Sequence, residues 1–137
     1  MIVVTGGAFQ GKSTFIDNTL LKDRTDPLKV SGRTATFEDL TRADVAEDLQ
    51  EWVRGLIVSC PTEERGTFIP RLMALADRLI AANPALIAEI PEMGCGVVPI
   101  DADERLQREA VGRLACRLAA ESEAVYRLVM GVPRKIK

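Results

Sequence analysis

Residues 2–14 read IVVTGGAFQGKST, an apolar run that breaks into Gly6 and Gly7 and then reaches Gly11, Lys12 and Ser13. Ile2 to Thr5 has the β-branched, uninterrupted apolar character of a strand buried on both faces, as in a parallel sheet. A helix is expected from about Lys12 to Leu21. A strand that turns through Gly6-x4-Gly11-Lys12-Ser13 into a helix constrains the fold more than any other part of the chain. It calls for an α/β sheet with this loop at the carboxyl end of a strand.

The residue types in the loop suit a polyphosphate. Gly6 and Gly11 allow the tight curve and the close backbone approach. The main-chain N–H groups of Gly7, Ala8, Phe9 and Gln10 converge with the positive end of the helix dipole on one anion. Lys12 supplies a point charge to the β and γ phosphates, Ser13 offers a hydroxyl to Mg2+, and Thr14 stands behind it. A nucleoside triphosphate is therefore the expected ligand, and no base-reading motif separates ATP from GTP. The plain alternative is a glycine turn with an exposed lysine. Phe9 has no neighbouring aromatic with which to build a base platform, so packing is the preferred use of its ring over stacking on a ligand.

The remainder of the chain alternates in the same manner. A short strand fits around Leu28–Val30 in an otherwise looped segment, Lys22 to Thr36. Thr36 and Asp39 resemble a capping box, and Leu40, Val45, Leu49, Trp52 and Val53 recur at helical spacing up to Gly55. That helix would carry Glu38, Asp39, Asp44, Glu47, Asp48 and Glu51 on a solvated face, or on an acidic docking face. Leu56–Cys60 reads as a second buried strand and Phe68–Ala82 as a helix stopped by Asn83-Pro84. Ala85–Ile90 reads as a third strand, Pro91–Pro99 as a loop, Asp103 to Ala120 as a long helix and Val125–Met130 as a last strand. Strand–helix alternation with right-handed crossovers gives a mainly parallel sheet with helices on both faces, in a single domain over residues 1–137.

Composition narrows the function. A net charge of −2 gives no general attraction to nucleic acid, and no apolar stretch approaches a membrane span. The N-terminus shows no leader pattern, so a cytoplasmic location is expected. Cys60, Cys95 and Cys116 have no paired spacing and read as buried or incidental thiols. The chain has no histidine, which excludes histidine bases, metal ligands and covalent intermediates. Phosphoryl transfer needs a carboxylate near the metal or the attacking hydroxyl. Leu86-Ile87-Ala88 leads to Glu89, with Glu92 beyond it, so Glu89 or Glu92 is the candidate to hold the metal or to orient the attacking hydroxyl, the plain alternative being that these acids cap the next loop.

At this point the chain resembles the bifunctional adenosylcobinamide kinase / adenosylcobinamide-phosphate guanylyltransferases. "VVTGGAFQGKS" is similar to their first strand and loop, "PEMGCGVVP" (Pro91 to Pro99) to their Asn-Glu-Val-Gly-x-Gly-x-Val-Pro segment, and Gly112 to Lys137 to their last helix, strand and Lys-Ile-Lys ending. The resemblance implies a P-loop NTPase-like, RecA-like α/β fold. It also implies a homotrimer with sites between subunits, phosphorylation of the adenosylcobinamide hydroxyl by ATP or GTP, and Glu92 as the match to the family's glutamate. Guanylyl transfer in that family uses a histidine that is missing here. The arginine-serine pair inside their loop is Phe9-Gln10, the strand-end glutamate falls on Ser59, and a polar pair in the last helix is Ala115-Cys116. Two readings follow: a pared-down adenosylcobinamide kinase using Lys12, Ser13 and Glu92, or a non-catalytic nucleotide-binding homologue with a regulatory or scaffolding role.

Overall fold

The computed structural model describes residues 1–94 and 96–137. Its core is a six-stranded sheet in the order β2-β3-β4-β1-β5-β6. The strands are β1 (Ile2–Gly6), β2 (Lys29–Ser31), β3 (Val45–Glu47), β4 (Ile87–Glu89), β5 (Ala124–Val129) and β6 (Val132–Lys135). The first five are mutually parallel, and β6 returns antiparallel on β5. The helices are α1 (Lys12–Phe15), α2 (Phe37–Arg42), α3 (Leu49–Val58), α4 (Phe68–Ala82) and α5 (Ala102–Glu121). A π-helical turn, Ile16–Leu20, extends α1, and a 3-10 segment, Thr62–Thr67, leads into α4. This is an α/β fold of the P-loop NTPase type.

The pleat sorts the sheet residues between two cores. Val3, Ala46, Ala88 and Val125 pack on α2 to α5, with Leu49, Trp52, Leu72, Leu79, Leu114 and Leu118 among their partners. Val4, Val45, Ile87 and Leu128 face the other way, onto Phe15, Ile16 and Leu21. Glu47 and Glu89 follow Val45 and Ile87 at the strand period of two and so project on the α1 side.

The segment 36–60 differs from its sequence reading in a way that bears on the site. The expected helix up to Gly55 is three elements. α2 ends at Arg42, Val45–Glu47 is a strand paired with β2 and β4, and Asp48 at φ 54° turns the chain into α3. Leu56–Cys60 is not a strand: Leu56, Ile57 and Val58 are the end of α3, with Ile57 buried and Val58 exposed, and Ser59 is its C-cap. The acidic residues therefore do not share one helix face. Strand β4 is shorter than Ala85–Ile90. β6, with Pro133 inside it, is an edge strand that the sequence reading left out. Cys60 is half-buried, Cys116 is exposed, and the expectation for Cys95 lies outside the described residues. Among the described residues no helix is long and apolar enough to cross a membrane, and no three His, Cys, Asp or Glu side chains converge as a metal cage.

The capping box is present. The Asp39 N–H donates to Thr36 Oγ1 at 3.2 Å, and the Thr36 N–H donates back to Asp39 Oδ2 at 2.8 Å. The Thr36 N–H first, and then the Thr36 hydroxyl, which donates to Asp39 Oδ2 at 2.7 Å, hold the Asp39 carboxyl below its ordinary 3.8. A depressed carboxylate stabilises the fold above its unfolded pKa and loses that contribution as pH falls through the folded one. Asp39→Asn is therefore expected to lower the melting temperature at pH 7, with the difference closing below pH 3.8. Thermal melts at the two pH values check this.

Candidate functional site

All five parallel strands point their carboxyl ends to one edge of the sheet, where loops gather in folds of this class. β1 reaches that edge at Gly6, whose φ is 134° and where a Cβ would lie 2.4 Å from the Leu128 carbonyl oxygen. The strand can run this close to β5 only as glycine. Phe9, at φ 57°, and Gly11, at φ 82°, then bend the loop back into α1, whose first turn has no side-chain cap and so keeps its N–H groups for a ligand. Gln10 secures the loop to the β5–β6 turn: its side-chain oxygen accepts the Met130 N–H, and its carbonyl accepts the Gly131 N–H at 3.1 Å.

Lys12 is buried. Its Nζ donates to the Gly7 carbonyl at 3.0 Å and lies 3.3 Å from Glu89 Oε1, which is equally buried at the end of β4. Glu47 ends β3, one step past the Ala46–Ala88 pair. Burial first, and then the neighbouring charge of Glu89, raise the Glu47 carboxyl above the usual 4.5, with Lys29 opposing. A cavity of about 560 Å3 opens over this group, lined by Ala8 to Thr14 together with Arg33, Glu47, Asp48, Gln50, Glu89 and Pro91. Ser13 and Thr14 are exposed to it. Arg33 is held across the cavity by Asp48, Nε to Oδ2 at 3.3 Å.

Of the residues singled out from sequence, the loop from Gly6 to Thr14 and Glu89 come together here. Glu92 sits one step away. Its N–H donates to the Gly6 carbonyl at 3.1 Å, while its carboxylate takes the Arg127 guanidinium in two bonds, 2.6 and 3.0 Å, and faces a neighbouring cavity. Phe9 is fully exposed beside the phosphate cavity and packs on nothing among the described residues. The strand-end position read at Ser59 is not at a strand end; the strand here is β3, and it ends on an acid, Glu47. The signal for it was Val45-Ala46 between Asp44 and Glu47, an apolar pair too short to show alternation.

Glu47 gives a pH prediction. A carboxyl whose folded pKa is raised opposes folding at neutral and higher pH, and the penalty disappears as pH falls to the unfolded value. Glu47→Gln is therefore expected to raise the melting temperature of the nucleotide-free protein at pH 8, the gain shrinking to nothing near pH 4.5. Melts in a chelating buffer at both pH values check it.

Among curated proteins none matches the chain. The family described as cobinamide kinase / cobinamide phosphate guanyltransferase matches residues 24–136. That match starts after the phosphate loop, so the loop is a separate observation beside it, and the family match by itself supports nucleotide binding in cobalamin biosynthesis. The chain belongs to the cobinamide kinase / cobinamide phosphate guanyltransferase family.

Proposed function

We propose that the protein is a kinase that transfers the γ-phosphate of ATP or GTP to the hydroxyl of adenosylcobinamide. The observation that carries this reading is the meeting of Lys12, Glu89 and Glu47 at the head of α1. In the nucleotide-free state Glu89 occupies the ammonium that a triphosphate would claim. Two carboxylates on one face, one of them already unfavourable as an anion, make a poor phosphate site alone and a suitable one for a phosphate with a divalent cation. Mg2+ fits this donor set, with Ser13 and Glu89 or Glu47 as its protein ligands, and it would neutralise charge on the phosphates.

The chain's own residues do the rest. The loop amides and Lys12 hold the polyphosphate, and Arg33 adds a cation from the facing wall. Glu92, anchored to Gly6 by its backbone, orients the acceptor hydroxyl. Histidine-dependent guanylyl transfer has no residue in this chain to carry it. The family's trimer is part of the same proposal, checked by light scattering for three times the 15.0 kDa chain.

One observation favours the non-catalytic alternative: Glu92 is already neutralised by Arg127. Incubation with adenosylcobinamide, Mg2+ and γ-labelled ATP or GTP decides between them. Label transferred to the corrinoid supports the kinase. Calorimetric binding of the Mg2+–nucleotide without labelled product supports the nucleotide-binding homologue.

A further inference from the structure

Phe9 lines the phosphate cavity with its ring wholly in solvent, 103% exposed, on a backbone at φ 57°. Glycine adopts that conformation freely, whereas a bulky residue there is an outlier. Packing, the use preferred from sequence, does not offset the strain, because the ring rests on nothing among the described residues. Outliers of this kind gather at ligand sites. The backbone that carries the ring is also braced. Gln10, the next residue, is held at both ends by the β5–β6 turn, its side-chain oxygen by the Met130 N–H and its carbonyl by the Gly131 N–H at 3.1 Å. The turn is so near that a Cβ on Gly11 would lie 3.4 Å from the Gly131 Cα. A side chain presented from a fixed backbone gives up little freedom on meeting a ligand.

The groups suited to the far end of a triphosphate stand on the other side of the loop. Lys12 Nζ lies 3.3 Å from Glu89 at the end of β4, and Glu47 ends β3 beyond it. Sheet order puts β3 and β4 on one side of β1 and β5 on the other. With the γ-phosphate and its cation drawn to Lys12 and these carboxylates, the phosphate chain runs back across the loop. It delivers the nucleoside toward β5, where Phe9 and its brace stand. Among the described residues lining the cavity Phe9 is also the only aromatic one, so an aromatic base finds its plane there.

We infer that Phe9 is the platform for the nucleobase, stacking its ring on adenine and guanine alike. The inference rests on the nucleotide-binding reading of the loop and adds how the base is held. Every base has a π-face, and a phenyl ring has no hydrogen-bonding group with which to read an edge. Affinity for the nucleoside thus comes without a choice between ATP and GTP, in keeping with a sequence that shows no base-reading motif.

The test is calorimetry with Mg2+ and three probes: adenosine imidotriphosphate, guanosine imidotriphosphate and inorganic tripolyphosphate, which carries the phosphates without a nucleoside. Phe9→Ala is expected to weaken both nucleotides about tenfold or more, a change of about 1.4 kcal/mol, and to leave tripolyphosphate within about twofold of wild type. It removes a ring that packs on nothing among the described residues, so the nucleotide-free protein should melt as wild type does. Val132→Ala, an exposed apolar position on the edge strand, is the control and should bind all three probes as wild type. Phe9→Trp should keep nucleotide affinity and add a signal: indole emission altered by either nucleotide and not by tripolyphosphate, over a steady background from the buried Trp52, the chain's single tryptophan. Nucleotide affinity unmoved in Phe9→Ala overturns the platform, and a loss of oligomer mass by light scattering in that case makes the ring a contact between copies. An equal loss for tripolyphosphate overturns it too, making Phe9 a residue that shapes the loop. Loss for one base alone overturns the indifference to the base. Wild type that binds none of the three probes overturns the reading of the loop beneath it.

Discussion

Lys12→Ala is expected to abolish nucleotide binding and, separately, to weaken the nucleotide-free fold. The first effect follows from charge-assisted bonds to the β and γ phosphates. Each is worth about 1.5–3 kcal/mol, so affinity should fall at least about a hundredfold. The second follows from the Lys12–Glu89 pair. Both groups are 7% exposed, and removing the ammonium leaves a buried carboxylate beside Glu47 with no other ion-pair partner among the described residues. Breaking such a pair from one side costs on the order of 3 kcal/mol, or roughly 10 °C in melting temperature for a chain of this size. The two effects separate in the double variant Lys12→Ala/Glu89→Gln. It should recover most of the lost melting temperature and none of the nucleotide affinity. Calorimetry with the Mg2+–nucleotide and thermal melts without it read the two axes. Nucleotide affinity in Lys12→Ala equal to wild type would refute the assignment of the loop.

Gly6→Ala is expected to be worse for the fold than any other single methyl added in the loop. The new carbon would meet the Leu128 oxygen at 2.4 Å, at a φ of 134° that side chains rarely adopt. Because Gly6 pairs with Leu128 in the sheet, relief requires parting β1 from β5 at the centre of the molecule. Backbone strain and overpacking together place the loss at about 3 kcal/mol or more. Gly7→Ala is the matched control: the nearest atom to its new carbon is the Gln10 Cγ at 3.4 Å, an ordinary van der Waals contact with a side chain and not a clash with backbone. It should melt close to wild type. Gly32 gives a second backbone clash, 2.2 Å from the Asp48 oxygen, which ties the β2 turn to the start of α3 and through it to Glu47.

These two sites also show what the sequence could and could not convey. The β1 run, the glycine spacing, the Thr36–Asp39 cap and the long apolar stripe of α5 are local signals, and each became the expected element. β3 was not legible. Its three residues are shorter than a period of alternation, and Leu40, Val45, Leu49, Trp52 and Val53 keep helical spacing across it by coincidence. Only the pairing of Val45 with Ile87 and Lys29 makes those residues a strand. The same misreading placed a strand end at Ser59 and left out the one at Glu47. The run Leu56-Ile57-Val58 looked like a buried strand by composition, but with Ile57 buried and Val58 exposed it is the one-sided end of a helix. Arg33 and Gln50 reach the phosphate cavity through tertiary placement, for which no nearby motif exists. The fold was thus readable where local chemistry decides it, and the far wall of the site was not, because distant pairing decides that.

The position of β1 between β4 and β5 has a consequence for how the molecule comes to be assembled. β1 gains its two sheet neighbours from segments that begin at Ile87 and Ala124, long after it in the chain, and its loop gains the bonds to Met130 and Gly131 later still. Such long-range closure is slow compared with the formation of neighbouring helices. Ribosome-bound intermediates that stop before the β5–β6 turn should therefore be unable to capture nucleotide, whatever fraction of the helical layer they have already formed.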